Sequence, residues 1–203
     1  LEQVSGADMV VGPYIEISHN GERKVEYDLY NGKNFGYGRA YDAERVFERG
    51  VIPFFMMHSI AYRTALLQRT AYHQREGISY TDQQWCFYPI FYVSSIAFTD
   101  IALYRYNLMR EGQTMSANVQ LRKIQEIATV VTDMAQFLDN YGKELTFARH
   151  DFLSGVVMRR MQGVLRKYLL EMDDNSFITS DFSSTLETFT RYAPIPLTVP
   201  ING

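Results

Sequence analysis

Cysteine is nearly absent from this sequence, since Cys86 is the only one among 203 residues. An internal disulfide is therefore impossible, and a metal cluster built on several cysteines is excluded. Catalytic patterns are missing as well. The sequence lacks both the pair of helical Glu-x-x-His motifs that a carboxylate-bridged metal site needs and a Gly-x-Ser-x-Gly nucleophile turn. We expect no catalytic residues, no metal site and no cofactor, and hence no enzyme.

No apolar run is long enough to cross a membrane. The most apolar stretch extends without a charge from Trp85 to Thr99 and is interrupted by Pro89. A membrane-spanning helix needs roughly 20 apolar residues. We therefore expect no transmembrane span, and we expect residues 85–98 to form a helix that is buried in protein, with some interface character. Because the chain begins with Leu1 rather than Met, it is expected to be a fragment or to have lost a leading segment.

An excess of charge of either sign is also missing, since 20 basic and 23 acidic residues leave a net charge of only −3. This balance argues against a protein that binds polyanions without specificity. The exception is a predicted helix over residues 145–172, where Arg159 and Arg166 lie seven positions apart on one face and Lys167 follows. These three residues are candidate anion contacts, and the helix around 149–167 is a candidate nucleic-acid surface. The acidic segment that follows favours pairing within the chain, so nucleic acid is the less favoured interpretation.

Aromatic residues and methionine are abundant, with 15 Tyr, 13 Phe and 9 Met. These side chains fill hydrophobic cores and are also enriched at protein interfaces. A hydrophobic fraction of 46% supplies a sizeable core for one domain with extensions.

Helical signals dominate the middle of the sequence. Residue 42 is a good N-cap and Gly50 a good stop for the first helix, and a capping box at Ser184 starts a short last one. Residues at alternating steps of four and three predict a buried seam on the helix that begins near Ser116. The predicted helices cover about 42–50, 53–77, 81–110, 116–142 and 145–172. The predicted seam consists of Ala117, Leu121, Ile124, Ala128, Val131, Ala135 and Leu138.

Residues 13–32 predict a β-hairpin. A three-residue loop at 19–21 pairs Ile15 with Val25 and keeps the odd-numbered apolar residues on one face, whereas a two-residue Asn20-Gly21 turn would set Ile17 against Lys24. The loop also puts Gly21 at the position that needs a left-handed backbone. We therefore expect the three-residue loop.

The last residues, RYAPIPLTVPING, predict an extended, proline-rich tail. Its apolar residues are too numerous for a tail that stays in water, so some surface should receive them. We predict a protein interface made of this tail and Trp85. The tail residues concerned are Ile195, Leu197, Val199 and Ile201.

The sequence thus predicts a mainly α fold: a five- to six-helix body with an N-terminal β-hairpin and an extended tail. The predicted divisions are 1–40 (arm and hairpin), 41–175 (helical domain) and 176–203 (short helix and tail).

Extended apolar arms at both ends are typical of subunits that bind neighbours. The favoured function is a non-catalytic structural subunit of a homo- or hetero-oligomeric assembly, such as a virion component or an envelope-associated secretion or motor complex. The alternatives are a ligand-binding or enzymatic helical domain, with a pocket lined by tyrosines, Trp85 and His58, and a nucleic-acid-binding subunit. The sequence does not indicate a compartment.

Overall fold

The computed structural model describes residues 4, 6–27, 35–50, 52, 54–102, 104–109, 117–172 and 180–193. The chain divides into two compact units. Unit 1 comprises Leu1–Gln74 and Trp85–Gln113, and unit 2 comprises Arg75–Gln84 and Thr114–Gly203. The chain therefore leaves unit 1 after Gln74, contributes a short segment to unit 2, returns to unit 1 at Trp85, and passes into unit 2 again at Thr114.

Unit 1 contains a four-stranded sheet with the strand order β4-β6-β1-β5. The strands β1 and β6 are parallel, whereas β1 with β5 and β4 with β6 are antiparallel. The register places Met9 beside both Ile96 and Tyr62. The four strands are β1 (Met9–Val11), β4 (Ala40–Asp42), β5 (Ile60–Tyr62) and β6 (Ser95–Phe98).

A second sheet of unit 1 has the order β3-β2-β7, with β2 antiparallel to β3 and parallel to β7. One of its faces carries Tyr14, Tyr104 and Tyr106. On the opposite face, Arg105 forms an ion pair with Glu22 across β2. The three strands are β2 (Tyr14–Ser18), β3 (Gly21–Val25) and β7 (Tyr104–Asn107).

The helices of unit 1 are short. The first, α1 (Ala43–Arg49), begins as predicted at Asp42, whose Oδ1 accepts hydrogen bonds from the Glu44 and Arg45 amides at 2.9 and 3.3 Å. It ends at Gly50, which has φ +57°, a left-handed cap that glycine tolerates best. The others are α2 (Thr64–Arg69) and 3-10 turns at Met57–Ser59 and Tyr88–Phe91. The one-turn α3 (Asp82–Trp85) lies in unit 2 except for Trp85.

Strand alternation gives the four-stranded sheet two different faces. One face is the core of unit 1, where Met9, Ile96 and Phe98 are fully buried. The opposite face carries small residues, and Val4 and Ala7 cover Ala97 there. The rest of that small-residue face forms the cavity described below.

Unit 2 is helical. Its helices are α4 (Ala117–Arg122), α5 (Ile124–Tyr141), α6 (Phe147–Leu170) and α7 (Ser180–Tyr192), with a 3-10 turn at Gly142–Glu144. The predicted seam is confirmed on α5, where Ile124, Ala128, Val131, Ala135 and Leu138 are buried. Leu121 is only partly buried, and the side chain of Ala117 lies outside the described residues. The last helix begins at Ser180 rather than at Ser184.

The predicted mainly α fold is wrong, because the described residues form a mixed α/β structure with two sheets. The segments predicted as helices over 53–77 and 81–110 contain β5, β6 and β7 together with only short helical turns. A strand as short as the four residues of β6 has no usable periodicity. Its strand structure comes from pairing with β1, which lies far away in the chain. The burial predicted for residues 85–98 is confirmed for most of the stretch, where Phe87, Ile90 and Val93 are fully buried, but Tyr92 is 42% exposed. The helix predicted for this stretch is wrong.

The hairpin is confirmed, but its predicted register is wrong. Ile15 pairs with Lys24, and Tyr14 pairs with Val25, around a two-residue turn at 19–20. The parity argument failed because both faces of this sheet carry apolar residues. Ile15 lies on the face crossed by the Arg105–Glu22 ion pair, and Val25 lies on the face with the tyrosines.

The predicted divisions at residues 40 and 175 stay predictions, because the compactness of a unit does not show which segments fold independently. The predicted tail interface at Ile195, Leu197, Val199 and Ile201 lies outside the described residues. None of the described helices is both long and apolar enough to cross a membrane.

Candidate functional site

A cavity of about 130 Å³ opens on the small-residue face of the four-stranded sheet. Its floor is formed by Val10, Gly12, Ala61 and Thr99. The register explains this set, since Val10 pairs with Ala61 and Ala97 and side chains two positions further along share that face. The remaining lining residues are Pro13, Met57, His58, Ser59, Ile60, Ile101 and Tyr104.

The floor depends on a close approach at Gly12. A Cβ at this position would lie 2.8 Å from Thr99 Cγ2 and 3.2 Å from the Ile101 carbonyl oxygen. The Gly12 amide also donates to the Ser59 carbonyl at 2.9 Å. Glycine therefore lets three chain segments meet beneath the cavity.

The wall of the cavity is an aromatic stack centred on His58. The imidazole lies parallel to the Tyr104 ring with centroids 4.6 Å apart, and it contacts Tyr14 edge-on at 5.3 Å and Tyr106 at 4.2 Å. Such ring pairs restrict side-chain rotation and add stability beyond burial. The stack therefore holds Tyr104 in place at the mouth of the cavity.

The rim of the cavity is apolar and exposed. It consists of Met57, Ile101 and Tyr104, whose exposed fractions are 37%, 47% and 42%. Single exposed apolar residues are ordinary, whereas several around one cavity are typical of a binding surface. Leu108 and Met109, which follow β7, are exposed to a similar degree.

Two polar groups of the cavity are already engaged. The Thr99 hydroxyl accepts a hydrogen bond from the Ile101 amide at 3.2 Å, and the Ser59 carbonyl accepts from Gly12. His58 is packed against three tyrosines. What the cavity offers a partner is therefore mainly apolar contact.

A second aromatic cluster in unit 1 surrounds the partly buried Cys86. Trp85 contacts Tyr62 and Tyr72 with ring centroids 5.0 and 5.6 Å apart. Burial raises the pKa of Tyr27 to about 12, and burial is also the main cause of the raised pKa values of Tyr62 and Tyr72. All three phenols thus stay neutral well beyond physiological pH.

The residues predicted to line one aromatic pocket therefore lie at two separate sites. His58 lines the cavity, but Trp85 belongs to the cluster around Cys86 and is not among the lining residues. The role of Trp85 at an interface stays a prediction, and its indole is only partly buried.

Unit 2 carries a larger and more polar groove of about 340 Å³ between α5 and α7. Arg75 and Asp133 form a bidentate ion pair there, with Nε–Oδ2 and Nη2–Oδ1 distances of 2.6 and 2.8 Å. The Thr129 hydroxyl donates to the Gln125 carbonyl at 2.8 Å. Ligand pockets are mostly apolar with a few polar groups that are left to bind, and this groove has the opposite character.

The candidate anion contacts lie on α6. Arg159 and Arg166 are both exposed, whereas Lys167 forms an ion pair with Glu171 at 3.1 Å. Partial burial, and then the neighbouring Arg160, lower the pKa of Arg159. Their contact with phosphate stays a prediction.

Within the part of the chain that the structure describes, no three His, Cys, Asp or Glu side chains are placed to hold a metal ion. Comparisons with protein-family models, curated proteins and solved structures find no match for this chain.

The cavity residues were missed by sequence reasoning, because Gly12, Ala61 and Thr99 come together only through strand pairing. No local pattern in the sequence identifies them.

Proposed function

We propose that the chain is a non-catalytic structural subunit of an oligomeric assembly, and that unit 1 carries its docking surface. The observation that supports this most is the small apolar cavity with its exposed rim of Met57, Ile101 and Tyr104. A rigid wall and a floor of small residues suit a surface that receives a side chain from a partner.

The size of the cavity favours a protein partner over a metabolite. Pockets for small molecules measure roughly 300–1,000 Å³, and this one measures about 130 Å³. A volume of that order accommodates one medium-sized apolar side chain. On its floor the Gly12 amide donates to Ser59 and the Thr99 hydroxyl accepts from Ile101, so few groups remain to orient a polar substrate.

The test is the native mass of the full chain, measured by sedimentation velocity over a range of concentrations. The wild-type protein should sediment as an oligomer of the 23.6 kDa chain. Ile101→Asp puts a charge on the rim and should shift the distribution towards monomer by at least tenfold in dissociation constant. Charges are depleted from the cores of such interfaces for the same reason.

Leu170→Asp is the matched control, because Leu170 is 56% exposed but lies on α6 of unit 2. It should leave the mass unchanged. A wild-type chain that stays monomeric at every concentration, with no partner subunit in its native source, would contradict the proposal. Equal dissociation by both substitutions would show that unit 1 does not carry the docking surface.

A further inference from the structure

The outer edge of β5 lies beside the cavity. Gly12 donates to Ser59, and the Arg63 amide donates to the Asp8 carbonyl at 2.9 Å. In an antiparallel pair such residues alternate with residues whose main chain faces outwards. The amides and carbonyls of Ile60 and Tyr62 therefore point to the outer side of β5, where none of the described strands pairs with it. Ala61 lies between them, and its exposed side chain lines the cavity.

This edge differs from the edge of the other sheet at β3. The exposed side chains of Glu22, Arg23 and Lys24 stand along β3, and charges of this kind discourage the addition of another strand. The sequence of β5 is Ile-Ala-Tyr. It therefore suits an uncharged, apolar strand.

The sequence of residues 194–201 has the matching chemistry. The odd positions are all apolar, prolines occupy all even positions except Thr198, and the segment carries no charge. In an extended chain, alternate residues point their main-chain groups to one edge and their side chains to one face. The odd-numbered amides thus face one edge, and the edge opposite them is blocked by proline. Such a segment can join a sheet on one side only.

We propose that residues 194–201 of a second copy of this chain add to the outer edge of β5 and place an apolar side chain in the cavity. This inference rests on the proposed function and names the partner. Parallel pairing with β5 uses the amides and carbonyls of the odd-numbered residues. It also puts their side chains on the face of Ala61, which is the cavity side.

The length of the segment fits this placement. A strand rises about 3.3 Å per residue, so eight residues extend well beyond the three residues of β5. Leu197 and Val199 stand near the middle of the segment and are the candidate side chains for the cavity. The prolines then face away from β5 and end the sheet.

Disulfide trapping between two separately purified full-length proteins tests this placement. One carries Ala61→Cys, and the other carries Leu197→Cys or Val199→Cys, both in a Cys86→Ser background with an unchanged circular dichroism spectrum. Mild oxidation of the mixture should give a covalent heterodimer. Thr198→Cys is the matched control, because its side chain lies on the opposite face. Its yield should be at least fivefold lower.

Ile101→Asp in the Ala61→Cys protein should reduce the heterodimer yield severalfold. Equal yields from positions 197, 198 and 199 would overturn the proposal. A protein that carries both cysteines in one chain provides a second check. If the disulfide forms only within that chain, with a yield that does not depend on dilution, the proposal is overturned as well. An oligomeric wild-type protein without any trapping would overturn this inference alone. A monomeric wild-type protein would also overturn this inference, and it would overturn the proposed function as well if the native source holds no partner subunit.

Discussion

The two units of this chain are stabilised in different ways. Unit 1 joins strands of three to five residues whose partners are distant in the chain, as in the pairing of Met9 with Ile96. Unit 2 packs helices of 18 and 24 residues along an aliphatic seam. The apolar surface differs as well. Three exposed residues of unit 1 share one cavity, whereas the groove described in unit 2 is lined by none of its exposed apolar residues Tyr141, Phe147, Leu170 and Leu186. This difference is the reason why the proposed docking surface is put on unit 1 rather than on unit 2.

The largest effect is expected from emptying each core. Phe98→Ala removes a fully buried ring from β6, and Leu153→Ala removes a fully buried side chain from α6. The free energy of unfolding should fall by about 3–5 kcal/mol in Phe98→Ala and by about 2–5 kcal/mol in Leu153→Ala, because burial is lost and a cavity remains. Amide hydrogen exchange reports the two units separately. Phe98→Ala should speed exchange mainly in β1 and β6, and Leu153→Ala mainly in α5 and α6. Uniform acceleration over both units in either variant would show that they unfold as one body.

Alkaline pH should act on unit 1 through Tyr27. Unfolded tyrosine ionises near pH 10, whereas burial raises the pKa of Tyr27 to about 12. Between these values only the unfolded chain loses the proton. The stability contributed by Tyr27 is therefore complete below pH 10 and is lost as the pH rises from about 10 to about 12, by about 1.4 kcal/mol per pH unit.

Urea titrations at several pH values measure this slope. Tyr27→Phe should make it shallower by about that amount. Tyr141→Phe, which removes a phenol that is 56% exposed, is the control for loss of a hydroxyl. An unchanged slope in Tyr27→Phe would mean that this phenol ionises equally in both states.

Sequence reasoning succeeded where the structural signal is local. The cap at Asp42, the stop at Gly50 and the seam along α5 each depend on residues within a few turns of one another. No local pattern in the sequence indicates where the tyrosines of unit 1 lie. Their positions follow from pairing between distant strands, and so does the meeting of Gly12, Ala61 and Thr99. The cavity could therefore not be predicted, although the sequence does indicate His58 as one residue of an aromatic pocket.

A smaller effect separates two buried phenols of unit 1. The Tyr27 hydroxyl accepts a hydrogen bond from the Met56 amide at 2.8 Å, whereas the buried Tyr62 hydroxyl has no hydrogen-bond partner among the described residues. Tyr27→Phe should therefore cost about 1–2 kcal/mol. Tyr62→Phe should leave stability unchanged or raise it by up to about 1 kcal/mol, because it removes a buried group without a bond. Denaturation midpoints of the two variants at pH 7 measure this difference. A clear loss of stability in Tyr62→Phe would show that the Tyr62 hydroxyl does form a hydrogen bond.

The smallest effect is expected from the α6 surface. Changing both Arg159 and Arg166 to Gln should alter stability by less than about 0.5 kcal/mol, as is usual for exposed positions. If this face binds a nucleic-acid backbone, the same change lowers the log–log salt slope of retention on DNA by roughly two units. We expect the wild-type chain not to be retained at low salt. Strong, salt-dependent retention that the double variant loses would transfer recognition to unit 2.

The most direct test of recognition through unit 1 is sedimentation velocity on three proteins at matched concentrations: wild type, Ile101→Asp and Leu170→Asp. We expect wild type and Leu170→Asp to sediment as the same oligomer and Ile101→Asp to approach the mass of a single chain, 23.6 kDa. An Ile101→Asp protein that keeps the wild-type mass while Leu170→Asp dissociates would place the docking surface on unit 2 and contradict the account.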